Sequence, residues 1–376
     1  MVVGTRPEII KMSPLASEIK KANNHFNLHV CSTGQHRQLL DQAAAILDFQ
    51  IDSDLNVMKP GQSLPELTSK ILISLDELLR RIKPDLVLVH GDTTTALAAT
   101  LASFYLNIPV GHVEAGMRTR NLKAPFPEEM NRQVIGRIAN AHFSPTNLCM
   151  DNLVSEGIPR SKIYVTGNTV VDSMMSTLNK IKQNPELVVK IKKNLSRVLP
   201  FPWETKKFIL VTGHRRENFG VGFEDICRAI GTIAKRYPKV EIVYPLHLNP
   251  NVRGPVISIL KNVKNVHLID PLDYEEFLYV MKFCSFILSD SGGVQEEAPT
   301  LGKAVLIMRD NSERLEGLKA GTSLLVGSES TKIIKAVSDL LDNETLLASM
   351  SHKNNPYGDG KASKRIVDII YNILHN

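Results

Sequence analysis

The stretch Leu288-Ser289-Asp290-Ser291-Gly292-Gly293-Val294-Gln295-Glu296-Glu297-Ala298-Pro299 decides how the chain reads. It follows a short apolar run (Phe283, Phe286, Ile287, Leu288) with the character of a buried strand. It then turns through two glycines and opens a helix. A strand, a glycine turn and a helix start bring free backbone N–H groups and the positive helix end together, which suits a phosphate. Acids four or five residues further on are placed to reach ribose hydroxyls. The expectation is a nucleotide or nucleotide sugar at the carboxyl edge of a parallel sheet.

Working outward, 376 residues favour two domains, and a hydrophobic share of 43% supplies two cores. No apolar run approaches the ~20 residues of a membrane span. The start, Met1-Val2-Val3-Gly4-Thr5-Arg6-Pro7, shows no basic-then-apolar secretory pattern. Cys31, Cys149, Cys227 and Cys284 are far apart and form no CxxC, as expected of reduced, buried thiols in a cytoplasmic protein. The basic residues are densest over residues 180–207, where Lys190, Lys192, Lys193 and Arg197 recur at helical spacing without interleaved aromatics, within a net charge of +6. That is an exposed helix face and not a nucleic-acid surface.

Apolar runs of strand length alternate with helical patterns through both halves. Candidate strands are Phe26–Cys31, Asp85–His90, Val110–Glu114, Ala141–Phe143 and Ile163–Thr166, then Phe208–Thr212, Glu241–Tyr244, Val266–Ile269, Phe286–Leu288 and Ala304–Met308. Several are continuous apolar runs, which predicts parallel strands covered on both faces. Leu64, Leu67, Ile71, Leu75, Leu78 and Ile82 make one helical stripe. The βαβ order occurs twice, predicting an α/β fold of two Rossmann-like domains. Residues 1–170 form the first and 171–360 the second, and a helix over 361–376 is placed to pack back on the first.

Polar clusters fall at strand ends in both halves, where open parallel sheets bind ligands. They are Gly4-Thr5-Arg6-Pro7-Glu8 with Lys11 one turn on, Gly91-Asp92-Thr93, His112-Val113-Glu114-Ala115-Gly116, Pro127-Glu128-Glu129 and Gly213-His214-Arg215. Each also has a structural reading. Asp92 can serve as a helix cap. Glu114 can be a solvated loop acid, and Glu128 can answer the helix dipole alone. His214 can be a loop histidine, and His36, His142 and His247 read as structural or peripheral. No histidine makes a local chelate pair, so no metal is expected. A G-x-S-x-G elbow is lacking, and the Gly292-Gly293 pair does not fit G-x-G-x-x-G, which disfavours a serine nucleophile and NAD.

These residues resemble the non-hydrolysing UDP-N-acetylglucosamine 2-epimerases almost end to end. The matching motifs include Gly4–Glu8, Gly34-Gln35-His36-Arg37, Gly91–Thr95, Val110–Gly116, Pro127–Glu129, Thr166–Thr169, Val211–Glu217, Asp290–Pro299, Glu313-Arg314 and Asn355–Gly360. The resemblance implies a GT-B-like architecture, two Rossmann-like domains with parallel sheets facing a central cleft, in a homodimer. It implies reversible interconversion of UDP-N-acetylglucosamine and UDP-N-acetylmannosamine through enzyme-bound 2-acetamidoglucal, for bacterial surface polysaccharide, with no cofactor or metal. Residue by residue, it implies Asp92, Glu114 and Glu128 as the acid/base set and His214 as the group that stabilises the leaving diphosphate. Arg6, Lys11, Ser291, Gly292, Gly293, Glu297 and Arg314 match UDP-contacting positions, with Phe277 near the base. An activator site in some relatives maps to Gln35, Gln38, Arg215 and His247, and Gly61 stands where certain of those carry an arginine. Leu315 replaces a proline usual after the Glu-Arg pair. A hydrolysing epimerase, a GT-B glycosyltransferase and a nucleotide-sugar-binding regulator are the alternatives, told apart by free sugar release, transfer to an acceptor, or UDP binding without turnover.

Overall fold

The computed structural model describes residues 1–35, 37–59, 61–215 and 218–375. The chain divides into two compact units, Met1–Ser176 with Tyr357–Asn376, and Thr177–Pro356. The sequence expectation placed the divisions at 170 and 360. The first actual division falls inside a helix, where no loop signal marks it.

The first unit runs β1 (Val2–Val3), α1 (Arg6–Lys21), β2 (Cys31–Ser32), α2 (Arg37–Ile46), β3 (Ser53–Asp54), α3 (Leu64–Ile82), β4 (Val87–His90), α4 (Thr94–Tyr105), β5 (Val110–Val113), α5 (Glu128–Ile138), β6 (Ala141–Ser144), α6 (Asn147–Ser155), β7 (Ile163–Val165) and α7 (Thr169–Gln183). All its strand pairs are parallel, in the orders β1-β2-β3 and β4-β5-β6-β7, and β1 packs beside β4. Strand addition therefore reverses direction between β1 and β4, the place where an open α/β sheet leaves a crevice.

Local chemistry explains the elements. α3 starts at a capping box, Ser63 with Glu66, and stops at Lys83 in the left-handed region. Its Leu67, Ile71, Leu75 and Leu78 are buried, whereas Leu64 at the first turn is exposed. Thr93, and not Asp92, caps α4 by accepting from the Ala96 N–H.

The second unit runs α8 (Pro185–Val198), β8 (Phe208–Thr212), α9 (Val221–Arg236), β9 (Glu241–Pro245), α10 (Pro250–Leu260), β10 (Val266–Ile269), α11 (Tyr274–Phe283), β11 (Phe286–Ser289), α12 (Gly292–Glu297), β12 (Val305–Ile307), α13 (Leu315–Ala320), β13 (Ser323–Leu325), α14 (Ser330–Asp342) and α15 (Glu344–Ser351). Its six parallel strands lie in the order β10-β9-β8-β11-β12-β13. The reversal point here is between β8 and β11. The chain then returns to the first unit as α16 (Ala362–His375), whose Ile366, Val367 and Ile370 join Ile9, Met12 and Leu15 of α1 in one core. Asp172 of α7 caps its start, accepting from the Ala362 and Ser363 N–H groups at 3.2 and 2.7 Å.

One strand expectation needs correction, and two strands went unread. The run Phe26–Cys31 is strand only at Cys31–Ser32, because its partner β1 offers just Val2 and Val3 to the ladder. Phe26 and Leu28 still pack against the core. β3 carries no apolar run that would announce it, and β13 offers only the short run Leu324-Leu325-Val326; both lie at sheet edges.

Candidate active site

In the first unit the reversal point between β1 and β4 collects the predicted residues. Arg6 opens α1 directly after β1, and Asp92 follows β4. Glu8 ties these two loops together. Its Oε2 accepts from the Gly4 N–H at 3.0 Å and the Thr5 hydroxyl at 2.8 Å, and its Oε1 accepts from the Thr93 hydroxyl at 2.7 Å. Burial pushes the Glu8 carboxyl above its ordinary value, and these donors oppose the shift.

Lys11 sends its Nζ to both oxygens of Glu114, at 2.8 and 2.6 Å, with both side chains below 10% exposure. The imidazole of His90 lies 2.7 Å from Glu114 Oε2. It sits off the line of a hydrogen bond, so Nε2 gains a charge contact without an aligned acceptor. Glu114 is thus a clasped, buried carboxylate and not a solvated loop acid. Its backbone adopts φ +65°, strained for a residue with a Cβ. Two residues on, Gly116 at φ +97° lies so close to α6 that a Cβ would sit 2.2 Å from the Cys149 carbonyl oxygen.

α5 brings the third acid. Glu128 is its first residue, half-buried, and Glu128 Oε2 is a buried atom with no hydrogen-bond partner among the described residues. Three residues on, Asn131 donates to the Asp92 carbonyl oxygen at 2.7 Å, and Arg132 places Nε and Nη2 at 2.8 and 2.7 Å from Asp92 Oδ2. Asp92 is therefore ion-paired and not a helix cap. Arg132 in turn meets Glu129, which is fully buried. Burial alone would raise the Glu129 carboxyl, but the Thr119 and Arg120 N–H groups and Gln133 hold it below its ordinary value. Asp92, Glu114 and Glu128 thus share one sheet edge, bound to it by Arg132, Lys11 and Asn131.

Behind the site, His112 on β5 and His142 on β6 stand opposite each other in the ladder. Burial lowers them to about 3 and about 4. His112 Nε2 reaches the Gly91 carbonyl oxygen at 2.7 Å, and the Ala139 backbone beside the His142 ring offsets part of the effect of its burial. They are neutral structural histidines. Gln35 accepts from the Thr95 hydroxyl at 3.0 Å. His36 and the side chain of Gln38 lie outside the described residues.

In the second unit the reversal point holds His214 after β8 and Ser291-Gly292-Gly293 after β11. Ser291 is the N-cap of α12 and leaves its side chain out of the cap. The Arg314 guanidinium lies over Gly292, where a Cβ would meet its Cζ at 2.4 Å. Arg314 is itself held by Glu296 at 2.8 Å and by Glu313, which also binds Arg309 at 2.9 Å. Glu297 accepts from the Tyr274 hydroxyl at 2.7 Å. Phe277, half-buried, sits on the same helix as Tyr274. Asp290, fully buried, accepts from the backbone N–H groups of His214 and Arg215, each at 2.9 Å to Oδ2. The exposed ring of His247 stacks on His214, with centroids 5.5 Å apart, and Arg215 Nε is a buried atom without a hydrogen bond among the described residues.

Among the described residues no group of three His, Cys, Asp or Glu side chains is placed to hold a metal, and no helix is long and apolar enough to cross a membrane. Sequence reading missed Glu8, His90, Arg132 and Asp290 as parts of these clusters. Glu8 and Asp290 stood within quoted motifs, but their partners are remote in sequence.

A family profile described as UDP-N-acetylglucosamine 2-epimerase matches residues 18–371. The UDP-N-acetylglucosamine 2-epimerase of Yersinia pestis is 51% identical over 371 residues, 99% of this chain and 97% of that protein. The crystal structure of the Neisseria meningitidis UDP-GlcNAc 2-epimerase bound to UDP-GlcNAc superposes with TM-score 0.94 at 50% identity, covering 99% of this chain and 98% of that one. The S. aureus MnaA–UDP structure follows with TM-score 0.90 at 42% identity, covering 99% and 95%. The expected GT-B-like α/β class, with Rossmann-like parallel sheets, is the one these relatives share. By profile, identity and fold, the chain belongs to the UDP-N-acetylglucosamine 2-epimerase family of isomerase-type enzymes.

Proposed function

We propose that the protein interconverts UDP-N-acetylglucosamine and UDP-N-acetylmannosamine by eliminating and re-adding UDP. The carbon 1–oxygen bond breaks and UDP departs with its electron pair. A carboxylate takes the proton from carbon 2, and the carbon 1–carbon 2 double bond of 2-acetamidoglucal forms. UDP then re-adds at carbon 1 while an acid returns a proton to the opposite face of carbon 2. No electrons leave the substrate, so the balance closes without a redox partner.

The observation that carries this reading is the set of three carboxylates at one sheet edge, each held differently. Lys11 offsets the charge of Glu114 and Arg132 that of Asp92, while Glu128 keeps a buried oxygen unbonded among the described residues. Groups with such different surroundings suit opposite proton-transfer roles. The resemblance makes Ser291, Gly292, Gly293, Glu297, Arg314 and Phe277 the proposed UDP contacts, and assigns Arg6 and Lys11 to UDP-contacting positions as well. A histidine positioned beside a diphosphate can donate to it as it leaves. His214 takes that part: burial lowers its pKa, and the Asp290 carboxylate pulls the other way. The enzyme acts in the cytoplasm as a homodimer, supplying an activated aminosugar for surface polysaccharide. Gln35, Gln38, Arg215 and His247 are the candidates for responding to a second substrate molecule.

Product analysis tests the activity. Incubation with UDP-N-acetylglucosamine should give UDP-N-acetylmannosamine at equilibrium with the starting sugar nucleotide. Accumulation of free N-acetylmannosamine would assign a hydrolysing enzyme instead, and UDP binding without turnover would assign a regulator.

A further inference from the structure

We infer that Asp290 is the positioning residue for His214, fixing both its loop and the tautomer of its ring. This rests on the reading of His214 as the group serving the diphosphate. Asp290 closes β11 at the reversal point, and His214 follows the neighbouring strand β8. The carboxylate has no exposure and is surrounded by donors. It accepts from the His214 N–H through Oδ1 at 3.1 Å and Oδ2 at 2.9 Å, from the Arg215 N–H at 2.9 Å and from Asn218 Nδ2 at 3.4 Å. Asn218 also donates to the Met308 carbonyl oxygen at 3.1 Å, anchoring the far side of the loop. The glycine before His214 is part of the same fit, because a Cβ on Gly213 would sit 2.8 Å from the Tyr244 hydroxyl. A carboxylate that collects successive backbone N–H groups fixes a loop much as a capping acid fixes a helix start.

The same carboxylate faces the ring. His214 Nδ1 lies 3.5 Å from Asp290 Oδ1, while 38% of the His214 side chain stays exposed. An acceptor lone pair on Nδ1 would lie beside a buried anion, so the proton belongs on Nδ1 and Nε2 is left for chemistry. His247 stacks on the ring at an interplanar angle of 20° and restrains its rotation. The charged and titratable groups around the ring are Asp290, Arg215, His247 and Arg309, and of these Asp290 alone favours the imidazolium. Removing that charge lowers the ring's titration midpoint, since the opposite charge is close.

The experiment is long-range proton–nitrogen NMR of the full-length protein with labelled histidine, the His214 signal assigned by its loss in His214→Asn. The inference expects the neutral Nδ1–H tautomer in the native protein, and an Nε2–H tautomer would overturn it. In Asp290→Asn the His214 midpoint should fall and kcat should drop by about tenfold, with KM little changed. An unmoved midpoint in a variant with native melting behaviour would overturn it equally. Native-level kcat in His214→Asn would instead remove the reading of His214 on which the inference stands, whatever the tautomer.

Discussion

Lowering the pH should destabilise the first unit through the facing histidines of β5 and β6, and the size follows from their burial. His112 and His142 have folded values of about 3 and about 4 against an ordinary 6.5. Below pH 6.5 the unfolded chain binds protons that the folded chain refuses, so stability falls as pH falls, levelling off only as each folded value is passed. At pH 5 each histidine contributes roughly 1.5 pH units of imbalance, about 2 kcal/mol, or about 4 kcal/mol for the pair. That is a large part of the ~5–15 kcal/mol of a typical domain. Glu8 and Asp172, whose carboxyls burial raises, work in the opposite direction, so the total slope mixes signs. His142→Leu isolates one term. The substitution gives up a backbone contact to Ala139 while removing an imidazole that burial disfavours, so at pH 7.5 the variant should lie within about 1 kcal/mol of the native chain. The one tryptophan, Trp203, belongs to the second unit and would report on the wrong part. Hydrogen exchange of β5 and β6 peptides at pH 7.5, 6.5 and 5, corrected for intrinsic rates, is the suitable assay. The variant should keep about 2 kcal/mol more protection at pH 5 than the native chain, relative to their difference at pH 7.5. Equal pH slopes in the two proteins would refute the reasoning.

Other perturbations address the site itself. Lys11→Met removes the cation that clasps both oxygens of the buried Glu114 carboxylate and should cost about 3–5 kcal/mol of stability along with most of kcat, whereas Lys11→Met with Glu114→Gln should regain stability but not activity, as thermal melts beside turnover assays would show. Gly292→Ala drives a methyl group into the Arg314 guanidinium and should weaken UDP binding by about tenfold or more in calorimetry, whereas Gly293→Ala, with open space at its Cβ, should fold with native melting behaviour. Glu8→Gln removes the charged acceptor joining the β1 and β4 loops and should lower the melting temperature by an amount matching about 1–3 kcal/mol.

How much of this was legible depended on whether the partners were local. α3 could be read to its ends because its stripe, capping box and stop signal lie within its own residues. The acids Asp92, Glu114 and Glu128 could be singled out because strand ends and a proline turn mark them. What held them could not. Lys11 and Glu114 are 103 residues apart, and nothing in either segment names the other. Asp92 read as well as a cap because Thr93 beside it carries the same signal, and only Arg132 separates the two readings. Glu8 stood at the end of a quoted cluster with no role of its own, because its partner Thr93 lies across the reversal point of the sheet. Asp290 was buried inside a glycine motif whose evident meaning was phosphate. β2 was overextended because a ladder's length belongs to both strands, and β1 is two residues long.

The central claim is that carbon 2 loses its proton while UDP is off the sugar. Proton NMR of the reaction in deuterium oxide tests it most directly. The account predicts UDP-N-acetylmannosamine with deuterium at carbon 2, and label entering recovered UDP-N-acetylglucosamine as the reaction reverses. Product that keeps its original hydrogen at carbon 2 would contradict it.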